Sequence, residues 1–188
     1  MKHIVSVVGL AASLSALALQ AQTPAPKPGP EHQKLNIWVG DWTFEEESQA
    51  TPLGPAGKFV GKGTVRPILG GFFVEFRTEG KGPAGPGQYF EVDTYDAMNK
   101  RYTWTGFTSG GEVHSVTYTI DGTKVNYSGT VLKGEKEYKI RGTVVFTDDF
   151  MSDIEKREIS VDGQTWMPQF QSKWIKTKKG AQKVKVAK

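Results

Sequence analysis

The sequence predicts an all-β protein: a closed up-and-down antiparallel β-barrel of about ten strands, with a short N-terminal helical cap. Three observations carry this prediction. From Trp42 to Lys176 the apolar residues alternate at period two, the spacing of a strand with one buried face. Pairs suited to tight hairpins recur at strand-length intervals: Gly70-Gly71, Gly110-Gly111, Asp121-Gly122, Lys133-Gly134 and Asp162-Gly163. Aromatic residues make up 11% of the chain and glycine 22 of its 188 residues, a balance that favours sheet and turn over a helical bundle.

Taken in order, the strands are expected at about 42–50, 57–68, 71–79, 88–96, 101–108, 112–121, 123–132, 135–147, 150–161 and 165–176. The segment 80–87, GKGPAGPG, reads as a flexible loop bordering a barrel mouth. One phase of the alternation carries Tyr102, Trp104 and Gly106, then His114, Val116, Tyr118 and Ile120. It continues through Val125, Tyr127 and Val131, Tyr138, Ile140, Val144 and Phe146, and ends on Trp166, Phe170 and Trp174. The opposite phase is mostly threonine and charge. A barrel in lipid needs its apolar residues outside, so this one keeps its apolar face inward, in water. Ten antiparallel strands joined by hairpins close most simply on themselves, because closure removes exposed edges. A barrel of that width has room for a small interior cavity. Glycines in the inward phase, at 61, 63, 106, 129 and 142, either leave interior space or let the strands bend.

The flanks differ from the barrel. Residues 1–21 read as a cleavable signal peptide: Lys2 precedes an uncharged apolar run from Ile4 to Leu19, with small residues near Ala18 and Ala21. A proline-rich leader follows at 22–30, the barrel occupies 31–176, and a lysine-rich tail ends the chain at 177–188. Within the barrel segment, Glu31 to Val39 is a short helical candidate stopped by Gly40. Without Lys2 and the six lysines from Lys176 to Lys188, 17 of the 24 basic residues remain against 20 acidic ones. The folded part is therefore slightly acidic and offers no basic stripe for nucleic acid. The chain has no cysteine, which excludes disulfides and thiolate metal sites.

Candidate functional residues are few. His32 belongs to the cap. His114 shares the inward phase, where it can orient a ligand or act as an acid or base. If the interior binds anything, His114, Tyr118, Tyr102, Trp104 and Tyr127 are the expected ligand-binding residues, since they lie on the inward phase of three consecutive strands. Trp42, Trp104, Trp166 and Trp174 either line a pocket or fill the barrel. Glu75 with Arg77, and Glu91 with Asp93, are open to two readings: an inward polar wall or an ordinary solvated face. No Gly-x-Ser-x-Gly elbow or phosphate-binding glycine loop occurs. No catalytic residue, metal ligand or cofactor is assigned.

Gly40-Asp41-Trp42, following His32 to Leu35, resembles the start of a lipocalin-like calycin barrel, which implies that Trp42 plugs the barrel floor. More specifically, the chain resembles the bacterial family called domain of unknown function 1579. The matching stretches are Leu35 to Phe44, Leu69 to Val74, Thr94-Tyr95-Asp96, and Tyr102 with Trp104. That resemblance implies a fold and no mechanism. The cap also resembles that of nitrobindin-like haem barrels, which ligate haem through a histidine on a late strand. No histidine follows His114 here, so that ligand is missing. The favoured expectation is an exported, periplasmic or secreted, non-enzymatic binder of a small, partly apolar or aromatic molecule. Against it stand a hydrolase- or isomerase-like enzyme using His114, and a solid barrel serving as a structural or interaction module.

Overall fold

The computed structural model describes residues 26–177. The expected signal peptide, the start of the leader and the tail beyond Thr177 lie outside the described residues. Pro30 opens a short helix, α1 (Pro30–Lys34), where its missing N–H costs nothing. A 3-10 turn, Leu35–Ile37, continues it. Ten strands follow: β1 (Gly40–Ser48), β2 (Gly57–Ile68), β3 (Phe73–Gly82), β4 (Gly85–Asp96) and β5 (Arg101–Thr108), then β6 (Glu112–Asp121), β7 (Lys124–Lys133), β8 (Lys136–Phe146), β9 (Ser152–Ser160) and β10 (Met167–Lys176). Each pairs antiparallel with its neighbour in sequence, and β1 pairs with β10 to close the barrel. The expected architecture is thus observed.

The cap and the floor are one packing unit. Leu35 and Ile37 are buried beneath the strands together with Trp42. The Trp42 indole Nε1 donates to the Trp38 carbonyl at 2.8 Å. The Lys176 ammonium sits 4.7 Å from the centre of the Trp42 ring and donates to the Ile37 carbonyl at 3.0 Å. Tyr102 reaches down from β5 to donate to Glu31 Oε2 at 2.5 Å. The cap and the end of β10 therefore meet on Trp42. Lys176, grouped in the sequence with the lysines that follow it, is the last residue of β10 and buried.

Two other expectations need correction. Segment 80–87 is no free loop. β3 and β4 pair right through it, from Gly80 opposite Gly87 to Gly82 opposite Gly85, because its glycines let the Phe59 ring pack against the backbone. Trp166 does not face inward. It precedes β10, and its ring lies 4.2 Å from the Arg141 guanidinium on the outer surface. A bulge between Pro168 and Phe170 resets the phase there.

The inward glycines have a third use. A Cβ at Gly106 would run into the Tyr89 ring, one at Gly142 into Tyr127, and one at Gly61 into Phe44. These positions seat aromatic rings that cross from neighbouring strands.

Leu35 is fully buried, so it measures how much the cap contributes. Leu35→Ala is expected to destabilise the protein by about 3 kcal/mol, read as a lower urea midpoint with an unchanged slope. A loss below about 0.5 kcal/mol would show that the cap is not part of the core.

A carboxylate-lined cavity in the barrel

The barrel encloses a cavity of about 570 Å³ above the Trp42 floor. Its mouth lies at the opposite end, framed by the β1–β2 loop, the β3–β4 hairpin and the β5–β6 turn. Leu53 of the β1–β2 loop lines the opening, and Lys133 of β7 holds that loop by donating to the Leu53 carbonyl at 2.5 Å.

One part of the wall is aromatic. Trp38 and Trp42 form the base; Phe44, Trp104 and Trp174 rise from it. Phe44 stacks on Trp174 with ring centres 4.3 Å apart, as their direct pairing across β1 and β10 dictates.

The rest of the wall is charged. Glu46 on β1, Glu91 and Asp93 on β4, Glu112 on β6, and Asp153 and Glu155 on β9 all line the cavity, against the single guanidinium of Arg157. The strand registers place them. The β4–β5 hairpin sets Asp93 opposite Trp104 and Glu91 opposite Gly106, so both carboxylates share the inward face with Trp104. Gly106 in turn lies opposite His114. On β9, Arg157 faces Gly142, and the Tyr127 ring lies over that glycine to reach it. The charged pair on β3 does the reverse. Glu75 and Arg77 bond to one another at 2.8 Å on the outer face, where Arg77 covers the Phe90 ring.

Tyrosines satisfy much of this charge. Tyr118 donates to Asp93 Oδ2 at 2.6 Å, Tyr127 to Glu155 Oε1 at 2.5 Å, and Tyr89 to Glu91. Arg157 Nε donates to the Tyr127 oxygen at 2.9 Å, and its other arm reaches Glu155 at 3.1 Å. Satisfaction is incomplete. Asp93 Oδ1, both ring nitrogens of His114 and the Trp104 indole N–H make no hydrogen bond within the described residues. Asp93 is only 1% exposed and His114 5%.

Burial dominates the titration of these groups. It lifts the carboxyls of Glu46 and Glu91 above the usual carboxylate range. Asp93 is lifted further by burial and by the adjacent Glu91. Asp153 is pushed up to about 8 by burial, with Glu155 adding to it. His114 is pushed down by burial, against the pull of Glu112, whose Oε2 stands 3.8 Å from its Nε2. The imidazole is therefore neutral at pH 7, with one nitrogen able to accept and the other to donate.

Of the five residues expected from sequence, Trp104 and His114 line the cavity. Tyr118 and Tyr127 stand in the wall behind it and act on it through Asp93 and Glu155. Tyr102 is turned to the floor and Glu31. Sequence reasoning missed Glu46, Glu112, Asp153, Glu155 and Arg157. Ile159 ends the inward phase of β9 and carries the signal: counting back by two reaches Arg157, Glu155 and Asp153. Among the described residues no three histidine or acidic side chains converge closely enough to hold a metal ion.

Comparison with known proteins agrees with this architecture. The family DUF1579, described as a protein of unknown function, matches residues 27–170. The chain belongs to DUF1579. No curated protein matches it in sequence. Among solved structures it is similar to Rv2717c from M. tuberculosis, at 10% identity and a TM-score of 0.58, covering 80% of this chain and 99% of that one. It is also similar to the S-type phycobiliprotein lyase CPES from Guillardia theta, at 12% identity and a TM-score of 0.51, covering 79% and 93%. A de novo designed fluorescence-activating β-barrel aligns at 13% identity with a TM-score of 0.42, covering 76% and 95%. At these identities the first two establish the shared barrel fold alone.

The raised carboxyl of Asp153 makes stability depend on pH. Below about pH 4 the group is protonated folded and unfolded, and it costs nothing. As pH rises from there to about 8, the unfolded chain ionises it while the folded chain does not, and stability falls. Asp153→Asn is expected to leave Tm within about 1 °C at pH 4 and to raise it by about 3 °C or more at pH 8. Equal effects at both pH values would contradict the burial of an ionisable Asp153.

Proposed function

We propose that the protein is an exported, non-enzymatic binder of a small, partly apolar molecule held inside the barrel. The cavity carries this reading. Its volume of about 570 Å³ falls in the range of small-molecule sites, which combine apolar surface with a few placed polar groups. Trp104, Trp174 and Phe44 supply flat apolar surface; His114 and Asp93 supply unpartnered polar atoms beside it. Export rests on the uncharged run from Ile4 to Leu19 behind Lys2. Among the described residues no helix is long and apolar enough to cross a membrane.

Titration with N-phenylnaphthylamine, which brightens in apolar surroundings, is expected to give saturable binding. Trp104→Ala should weaken it about ten-fold with an unchanged far-ultraviolet spectrum. Absence of saturable binding would point to a solid barrel instead. For export, N-terminal sequencing of protein from its native host is expected to start near residue 19 or 22; a chain that retains Met1 would overturn that part.

A further inference from the structure

We infer that the molecule this cavity takes is an organic cation: an amine on an apolar or aromatic body, its ammonium held by the β4 and β9 carboxylates and its body against the tryptophans. This deepens the proposed function and rests on it.

Charge is the first argument. Six carboxyl groups line the cavity; Glu112 is paired with Lys133 at 3.1 Å, and the one cation among the lining residues, Arg157, is already engaged by Glu155 and Tyr127. Burial and mutual repulsion hold Glu46, Glu91, Asp93 and Asp153 toward their protonated forms; an anion among them adds to that repulsion, whereas an ammonium relieves it and lets them ionise against it. A neutral molecule removes water from the same groups and gives nothing back. An ammonium supplies both the missing charge and donor hydrogens.

Unpartnered atoms are the second and independent argument. Two side chains more than nine-tenths buried line the cavity with free acceptor capacity, Asp93 through Oδ1 and neutral His114 through one ring nitrogen. Asp93 lies opposite Trp104, and His114 lies across Gly106 from Glu91, with the Tyr89 ring seated over that glycine. An ammonium has three N–H groups to share among such acceptors.

Aromatic side chains stand among these carboxyls, Trp104 opposite Asp93 and Trp174 opposite Asp153 in the strand registers. Trp42, Trp104, Trp174 and Phe44 line the same space, and aromatic rings attract cations, most of all when water is excluded. Lys176 already shows this contact on the Trp42 ring from the protein's own side. The carboxylates are also spread over β1, β4, β6 and β9. That spacing suits an extended organic cation and, with no three ligands convergent among the described residues, does not suit a metal ion.

Three probes of matched shape separate the possibilities: phenylpropylammonium, uncharged butylbenzene and phenylbutanoate. Each competes with N-phenylnaphthylamine on the full-length mature protein at pH 7.5, and each is also titrated directly by calorimetry. Phenylpropylammonium is expected to bind at least about ten-fold more tightly than butylbenzene, and phenylbutanoate more weakly than either. Asp93→Asn keeps an acceptor for Tyr118, and it is expected to narrow the gap between cation and neutral probe to about three-fold or less; Glu91→Gln provides a second variant for the same comparison. If butylbenzene and the ammonium bind equally, or phenylbutanoate binds best, the cation inference is overturned while the proposed binding function stands. If none of the probes binds and N-phenylnaphthylamine does not either, both are overturned.

Discussion

Four tyrosine hydroxyls donate to four carboxylates, and the form of this barrel depends on those contacts. Tyr102 holds Glu31 and so fixes the cap to the floor; Tyr118, Tyr127 and Tyr89 hold Asp93, Glu155 and Glu91 in the inner wall. A carboxylate taken out of water without a donor costs several kcal/mol, since the cost is on the order of 2–7 kcal/mol even for a neutral polar group. The tyrosine supplies that donor and also contributes a ring to the core. Tyr102 and Tyr118 stack with centres 5.2 Å apart, and the Trp104 ring lies beside both Tyr118 and Tyr127. One residue type thus connects hydrophobic packing to an acidic interior.

The connection explains why the barrel is not filled solidly. The tyrosine rings lie flat along the wall, over glycines that would otherwise obstruct them, as Tyr127 does over Gly142 and Tyr89 over Gly106. Their hydroxyls end at the wall carboxylates and not at the barrel axis. What remains in the centre is a space lined by aromatic rings interleaved with Asp93, Glu91 and the β9 charges. The floor is closed independently by Trp42, Leu35 and Lys176, so access is from the end where Lys133 holds the β1–β2 loop.

Much of the fold was legible because strand periodicity and hairpin chemistry are local. Strands β5 to β8 alternate cleanly, and Gly122 and Gly134 carry the positive φ their turns require. The Gly-x-Trp at 40–42 correctly placed Trp42 in the floor. The site was legible only in part, because alternation marks the inward phase by its apolar residues. That rule fails on β4 and β9, whose inward phases are Glu91 and Asp93 in one case and Asp153, Glu155 and Arg157 in the other. For β4 the information was present. A hairpin closed by Asp96 and Arg101 sets Asp93 opposite Trp104, and an inward Trp104 then commits Asp93 to the same face. Trp166 failed for the opposite reason: a non-local bulge at Pro168 shifts the phase, and nothing in the alternation announces it.

The central claim is that these carboxyls lie inside the barrel and away from water. Carbon-13 NMR of the side-chain carboxyls of Asp and Glu, followed from about pH 3 to pH 10, tests it most directly. The account predicts that Asp153 titrates near pH 8 and Asp93 well above the ordinary aspartate range, with both returning to ordinary values in the unfolded protein. Titration of every aspartate and glutamate of the folded protein between about pH 3 and pH 5 would contradict it.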